Sequence, residues 1–225
     1  ACAGRGICGT VNAPGDNRCC IETFPVGPLQ CNCSVIADKT SKKAMIVDPG
    51  GDADKILRLI AQHELSVVAI IHTHAHLDHI LAAGDIKEAT GAPIYLHRED
   101  KFLWDILESQ CAMIGIPYKP VPDPDYFLRD DQDLACCGGI AIHTPGHSPG
   151  SMSFWFERYQ TLVAGDTLFQ GSVGRTDLWG GSFDTIKTSI IQRLYSLDDE
   201  ALVVTGHGPS TRIGIEKANN NFVRI

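Results

Sequence analysis

The chain has 225 residues, of which 44% are hydrophobic and 20% charged, a length that supports a full hydrophobic core without disulfides or a structural metal. The 19 basic and 27 acidic residues give a net charge of −8, which argues against a nucleic-acid partner. No apolar run approaches the roughly 20 residues of a membrane span, so we expect an acidic, soluble, globular protein without a membrane partner.

Residues 1–20 are rich in Gly, Cys, Asn and Arg and show no periodicity, so they are predicted to form a mobile extension before a single domain over residues 21–225. Short apolar runs alternate with amphipathic stretches along that domain. The apolar runs predict strands over 21–26, 33–37, 44–47, 66–71, 93–96, 140–144, 152–156, 161–164 and 201–205. The amphipathic stretches predict helices over 52–63, 77–90, 99–114, 184–197 and 211–219. The strands fall into two clusters, which favours two sheets with helices outside.

The 9 cysteines do not form the pattern of a zinc ribbon or a disulfide framework. No two of them are spaced as Cys-x-x-Cys, and their number is odd. We therefore expect reduced thiols, with those inside strands acting as small hydrophobic side chains. Reduced thiols favour a reducing compartment, and the cytoplasm is the expected location.

The densest group of metal-binding side chains follows the predicted strand 66–71. His74, His76, Asp78 and His79 occur within six positions. On extended backbone His74 and His76 point the same way, and the other two begin the next helix. Imidazoles and a carboxylate suit zinc, iron or manganese. Four such side chains directly after an apolar strand are hard to explain by packing, because buried polar groups need partners. This segment therefore predicts a metal site.

Three later residues offer further ligands, each just beyond a predicted strand. They are His147, Asp166 and His207, and a glycine precedes each of them. Glycine leaves room for the backbone to approach a crowded centre. Added to the first cluster, these side chains would complete two coordination spheres.

The pattern His74-x-His76-x-Asp78-His79, followed by His147, Asp166 and His207, resembles the metallo-β-lactamase superfamily from about residue 21 onward. The resemblance implies an α/β fold, the αββα sandwich, in which two mixed β-sheets are flanked by helices. It also implies two divalent metal ions, with zinc as the expected metal and iron or manganese as alternatives. The implied ligands are His74, His76 and His147 for the first metal, Asp78, His79 and His207 for the second, and Asp166 between the two.

In such a centre, two metals lower the pKa of a bridging water from about 15.7 toward neutrality, and the resulting hydroxide attacks a carbonyl carbon. Asp78 is the expected catalytic residue, which orients the hydroxide and protonates the leaving group. Asp48 ends a predicted strand before Pro-Gly-Gly and resembles the aspartate that supports a ligand histidine in this family. A helix N-cap or turn role for Asp48 is the alternative.

The segment from Asp166 to Asp177 resembles the glyoxalase II-type thioesterases, also called hydroxyacylglutathione hydrolases, and the related persulfide dioxygenases. The commonest exported β-lactamases have cysteine at the position of Asp166, and nucleases of the superfamily carry a large insert and a basic surface. Arg175 is expected to bind a substrate carboxylate, unless it pairs with Asp177 instead. The chain ends soon after His207, which is typical of a compact branch without the helical glutathione-binding domain.

The leading hypothesis is therefore a two-metal thioesterase that acts on S-lactoylglutathione or a related small, anionic acyl thioester. An alternative is a mononuclear iron dioxygenase of glutathione persulfide, which would use His74, His76, His147 and Asp166. A non-catalytic metal-binding module is the third reading.

Overall fold

The computed structural model describes residues 11–13 and 16–225, with side chains from Arg18 onward. Seven strands form the first sheet, in the spatial order of the chain: β1 (Val11–Ala13), β2 (Asp16–Val26), β3 (Cys31–Asp38), β4 (Lys43–Val47), β5 (Ser66–Ile71), β6 (Ile94–His97) and β7 (Tyr126–Leu128). Strands β1 to β4 are antiparallel, whereas β4 to β7 run parallel. The loops that follow β4, β5 and β6 therefore leave the same edge of the sheet.

The remaining strands form a second sheet and a small hairpin. They are β8 (Gln132–Asp133), β9 (Ile140–His143), β10 (Met152–Phe156), β11 (Thr161–Gly165), β12 (Leu168–Phe169), β13 (Ser172–Val173), β14 (Leu202–Thr205) and β15 (Thr211–Arg212). The second sheet has the order β15-β14-β11-β10-β9-β8, and β12 pairs with β13 alone. Its β11 and β14 are parallel neighbours, so both deliver their following loops to one edge.

The described residues contain seven α-helices, which lie between or after the strands: α1 (Ala53–Gln62), α2 (Leu77–Ile80), α3 (Ala83–Thr90), α4 (Lys101–Asp105), α5 (Leu107–Ile114), α6 (Phe183–Ser189) and α7 (Ile213–Asn219). The predicted helix 77–90 is interrupted after Ile80, and the predicted helix 99–114 opens with a 3-10 turn at Arg98–Asp100 and breaks at Ile106. The predicted helix 184–197 changes at Ile190 into a π-helical turn, in which the Tyr195 N–H donates to the Ile190 carbonyl at 2.9 Å.

Alternation along each strand divides the core into layers, because successive side chains of a strand point to opposite faces. In β4, Ala44 and Ile46 pack with the buried faces of α1, α3 and α4. Met45 and Val47 point the other way and join side chains of the second sheet. The second sheet alternates similarly and presents its outer face to α6 and α7. The layers are thus helices, sheet, sheet and helices, which confirms the predicted αββα sandwich.

The ordered strands start before the predicted domain boundary at residue 21. Strand β2 begins at Asp16 and pairs with β1 on one side and β3 on the other. Residues 1–10 and 14–15, to which much of the predicted mobility applies, lie outside the described residues. No helix in the described part of the chain is long and apolar enough to cross a membrane.

The cysteines of the described residues are free thiols, as the sequence predicts. Cys31, Cys33 and Cys111 are fully buried among apolar side chains of the first sheet and its helices. Burial of a thiol in this way matches the behaviour of a small hydrophobic residue.

Candidate metal centre

Four loops bring the predicted ligands to one place where the two sheets meet. His74, His76, Asp78 and His79 follow β5, and His147 lies between β9 and β10. Asp166 follows β11 and His207 follows β14, at the matching ends of two parallel strands. A β-bridge between Cys31 and His207 joins the last of these loops to the first sheet. Six of the seven side chains form two adjoining groups, and Asp166 lies between them.

The first group consists of His74, His76 and His147. His76 Nδ1 lies 2.9 Å from His147 Nε2, which lies 3.2 Å from His74 Nε2. Zinc–nitrogen bonds of about 2.0–2.1 Å in a tetrahedron place ligand atoms about 3.3 Å apart, so these separations match one shared ion. Burial and the neighbouring His147 lower the pKa of His76 to about 3. A neutral imidazole is the form that binds a metal.

The hydrogen bonds of this group direct unprotonated nitrogens toward its centre. His147 Nδ1 donates to the carbonyl of Arg175 at 2.7 Å, which leaves the lone pair of its Nε2. Thr73 Oγ1 donates to Asp48 Oδ2 at 2.6 Å and can therefore only accept, at 3.0 Å, from His74 Nδ1. The Nε2 lone pairs of both histidines then face each other at 3.2 Å. Two lone pairs at this distance repel each other, and a cation bound by both nitrogens would remove that repulsion.

The second group consists of Asp78, His79 and His207. Asp78 Oδ2 lies 3.0 Å from His207 Nε2 and 3.7 Å from His79 Nε2. Burial works against the charge of Asp78, but His79 and His207 outweigh it and hold its pKa below the usual range. His207 Nδ1 donates to the carbonyl of Leu29 at 3.1 Å, which turns Nε2 inward. The carboxylate and the two inward nitrogens form a second set of metal ligands.

Asp166 lies between the two groups and contacts both. Its Oδ2 is 3.6 Å from His147 Nε2, while its Oδ1 is 3.5 Å from His79 Nε2 and 3.8 Å from His207 Nε2. Asp166 Oδ1 and His79 Nε2 are buried without a hydrogen-bond partner among the described residues. Unpartnered buried polar atoms cost free energy, and bound metal ions would satisfy them. The donor set therefore fits two divalent ions with Asp166 as the bridge.

Three buried side chains hold alternate backbone amides of the segment that carries four of the ligands. The bonds are Thr73 N–H to Asp48 Oδ1 at 2.7 Å, Ala75 N–H to Asp100 Oδ2 at 3.0 Å, and Leu77 N–H to Gln110 Oε1 at 2.9 Å. The even-numbered side chains between them face the metal centre. Of these three supports only Asp48 is predicted by the sequence, because Asp100 and Gln110 belong to no motif.

Asp48 supports a ligand, as the resemblance implied. Its Oδ2 lies 3.0 Å from His79 Nδ1, and its side chain is buried. The N-cap position of α1 belongs to Asp52 instead, although the Asp52 side chain makes no capping hydrogen bond. Cys31 Sγ also lies 3.4 Å from His79 Nδ1, and burial raises the pKa of this thiol to about 12. The thiol is therefore neutral, and the carboxylate of Asp48 is the charged partner of His79.

Arg175 lies next to the centre but pairs with a neighbour. Its guanidinium donates to both carboxylate oxygens of Asp177 at 2.7 Å, which is the alternative that the sequence left open. The side chain is 60% exposed, and the backbone carbonyl of Arg175 accepts the hydrogen bond from His147 Nδ1. The indole of Trp179 lies 6.2 Å from the ring of His76 and forms an apolar wall beside the first group.

His97, Glu99 and His143 form another potential ligand group outside the centre. The two imidazoles stack with centroids 4.2 Å apart. His97 Nδ1 accepts the N–H of Glu99, and His143 Nε2 donates to the carbonyl of Pro149 at 2.9 Å. A neutral His97 that accepts at Nδ1 carries its proton on Nε2, so only His143 keeps a free lone pair, at Nδ1, and this group does not offer two imidazole lone pairs as the main centre does.

Known proteins resemble this chain in sequence and in fold. The family model of the metallo-β-lactamase superfamily matches residues 26–207. The hydroxyacylglutathione hydrolase GloC of Haemophilus influenzae is 37% identical over 207 residues, covering 90% of this chain and 97% of that protein. Among solved structures, the BLEG-1 B3 metallo-β-lactamase has a TM-score of 0.84 and 36% identity, covering 90% of this chain and 99% of that one. TTHA1623 in a di-iron-bound form has a TM-score of 0.82 and 36% identity, covering 88% and 98%. The chain therefore belongs to the metallo-β-lactamase superfamily.

Proposed function

We propose that this protein is a two-metal hydrolase of small acyl thioesters, with S-lactoylglutathione as the candidate substrate. The observation that carries the proposal is the assembly of both ligand groups around Asp166. A mononuclear dioxygenase needs only the first group and Asp166, and gives no reason for Asp78, His79 and His207 to converge. The similarity to a hydroxyacylglutathione hydrolase over 90% of the chain supports the choice of substrate.

Bound metal ions would polarise the substrate carbonyl and lower the pKa of a water molecule at this site. The side chains of the protein would orient this water molecule and transfer its proton. Asp78 is a carboxylate at neutral pH, and its side chain is 13% exposed beside the 29% exposed His207, so a substrate can reach it. Asp78 accepts the proton of the attacking water, whose oxygen bonds to the carbonyl carbon. The carbon–sulfur bond breaks, and the proton passes to the departing sulfur, which gives a carboxylic acid and a thiol.

Elemental analysis of the purified protein, combined with a thioester assay, tests this function. We expect about two metal ions per chain and cleavage of S-lactoylglutathione. Asp78→Ala should lower the rate by about 100-fold or more, because it removes both a ligand and the proton acceptor. Asp54→Ala, an exposed aspartate in the first turn of α1, is the matched control and should leave the rate unchanged.

Two results would overturn the proposal. One is a single iron per chain with oxygen uptake on glutathione persulfide and no thioester cleavage. The other is turnover of a β-lactam without turnover of any thioester, which would align the protein with the activity in the name of BLEG-1.

We also propose that Arg175 recognises the carboxylate of the anionic substrate by exchanging its contact with Asp177. The exchange costs little, because exposed ion pairs contribute only about 0–1 kcal/mol. Arg175→Ala should then raise KM and leave kcat nearly unchanged. Asp177→Ala, which frees the guanidinium, should lower KM or leave it unchanged. Equal effects of the two substitutions would show that the pair is only structural.

A further inference from the structure

Asp100 ends the 3-10 turn that follows β6, and it is fully buried. Its carboxylate accepts three hydrogen bonds. Oδ2 accepts from Ala75 N–H at 3.0 Å and from Ser148 Oγ at 2.7 Å, and Oδ1 accepts from Gly150 N–H at 2.6 Å. Ala75 stands between two ligand histidines, and Ser148 directly follows a third.

The three donors come from different parts of the fold. Ala75 belongs to the loop after β5, in the first sheet, whereas Ser148 and Gly150 belong to the loop between β9 and β10, in the second. The first ligand group draws its histidines from these same two loops. Its geometry therefore depends on how the two loops are held relative to each other.

We propose that Asp100 is a positioning residue that joins these two loops and thereby sets the metal affinity of the first group. The ligand nitrogens of the group are 2.9 and 3.2 Å apart across the loops. Metal–ligand distances tolerate changes of only about 0.2 Å. A carboxylate that accepts hydrogen bonds from both loops restricts their movement relative to each other, and thereby keeps the ligand distances within this tolerance. Partners of this kind change metal affinity by about 10- to 100-fold when removed.

The close approach of Gly150 to Asp100 gives an independent way to disturb the same junction. A Cβ atom at Gly150 would lie 2.7 Å from both the backbone nitrogen and Oδ1 of Asp100. Since the backbone of Gly150 is not left-handed, alanine would act through this contact alone. Gly150→Ala therefore pushes the loop between β9 and β10 away from Asp100 without removing the carboxylate.

The buried carboxylate of Glu216 offers a matched control for the general cost of such a change. It accepts from Gly171 N–H at 2.9 Å, Thr211 Oγ1 at 2.6 Å and Asn220 Nδ2 at 2.7 Å. The number and types of its donors resemble those of Asp100, but none of them lies in a loop of the first ligand group. Glu216→Ala should reduce thermal stability without changing metal affinity at that group.

The test is a chelator competition with Co²⁺, made in His207→Ala protein so that the second group is incomplete. Asp100→Ala should weaken Co²⁺ binding by about 10- to 100-fold and change the Co²⁺ absorption bands, which report ligand geometry. Gly150→Ala should weaken binding in the same direction. Asp100→Asn keeps one accepting oxygen and should restore part of the affinity. Ser148→Ala removes only one of the three bonds to Asp100, together with the contact between Ser148 Oγ and Ser151 Oγ, so it should fold and give a smaller loss even where Asp100→Ala fails to fold.

Unchanged Co²⁺ affinity in Ser148→Ala and Gly150→Ala would overturn the role of Asp100. An equal loss of affinity in Glu216→Ala would also overturn it, because the effect would then be one of stability alone. The inference rests on the proposed two-metal centre but not on its substrate. Failure of the unmutated protein to bind metal would refute the centre itself, which is a separate outcome.

Discussion

Substituting Gly206 by alanine should displace Asp166 from its place between the two ligand groups. A Cβ atom at Gly206 would lie 1.9 Å from Asp166 Oδ1. Since a carbon–oxygen contact needs about 3.3 Å, the oxygen has to retreat by roughly 3.3 − 1.9 = 1.4 Å. That movement is several times the tolerance of about 0.2 Å for a metal ligand. The variant should therefore bind metal at least about tenfold more weakly, and thioester cleavage should fall with it.

Gly208→Ala is the matched control in the same loop. Its φ of +71° strains an alanine by about 1–2 kcal/mol, but no atom lies within 4 Å of the added Cβ. Overpacking at Gly206 costs a similar 1–3 kcal/mol or so. The two variants should thus unfold at similar temperatures, while elemental analysis after dialysis should show metal loss only for Gly206→Ala. Full metal content in Gly206→Ala, or equal loss in both variants, would refute the reasoning.

Three further predictions concern the rest of the molecule. Phe154→Ala should lower the free energy of unfolding by about 3–5 kcal/mol in urea titrations, because this fully buried ring fills the space between the sheets. Burial opposes ionisation of Asp125, but the hydrogen bond and charge of Lys87 outweigh burial and lower the pKa of Asp125. The ionised Asp125 therefore stabilises the fold above about pH 4, and this contribution is lost as the pH falls through the lowered pKa. Asp125→Asn should remove that acid dependence at a cost below about 1 kcal/mol. Iodoacetamide should label Cys136 before it labels the buried Cys31, as followed by mass spectrometry. A hydrogen bond with the Cys137 thiol lowers the pKa of Cys136, whereas burial raises the pKa of Cys31.

The side chains that meet at the candidate metal centre could be singled out in the sequence because each lies just beyond a strand within a short, recognisable motif. His74, His76, Asp78 and His79 signal a site by local density alone. The two-sheet architecture could also be predicted, because alternating apolar runs are a local property of strands. These features depend on neighbours in sequence, which is the information that one sequence provides.

The supports of the ligands could not be predicted, because they act across long separations. Asp100 bonds to Ser148, and Gln110 bonds to Leu77, yet neither pair leaves a periodic signal in the sequence. The start of β2 at Asp16 lies outside the predicted strand for a similar reason: Asp16 pairs with β1, and pairing with β3 begins at Cys19, although the composition of these residues predicts a loop. Tertiary contacts decide such positions.

The position of the ligands along the chain has a consequence for synthesis. A ribosome releases the chain from its N-terminus, so the three imidazoles of the first group exist before the bridging Asp166 and well before His207. The second group becomes complete only when the loop after β14 has emerged and the bridge between Cys31 and His207 can close. Contacts of such long sequence separation form slowly, because loop closure costs entropy. In the proposed two-metal centre, the first ligand group would therefore be complete early in synthesis, and the second only after the loop beyond β14 has left the ribosome.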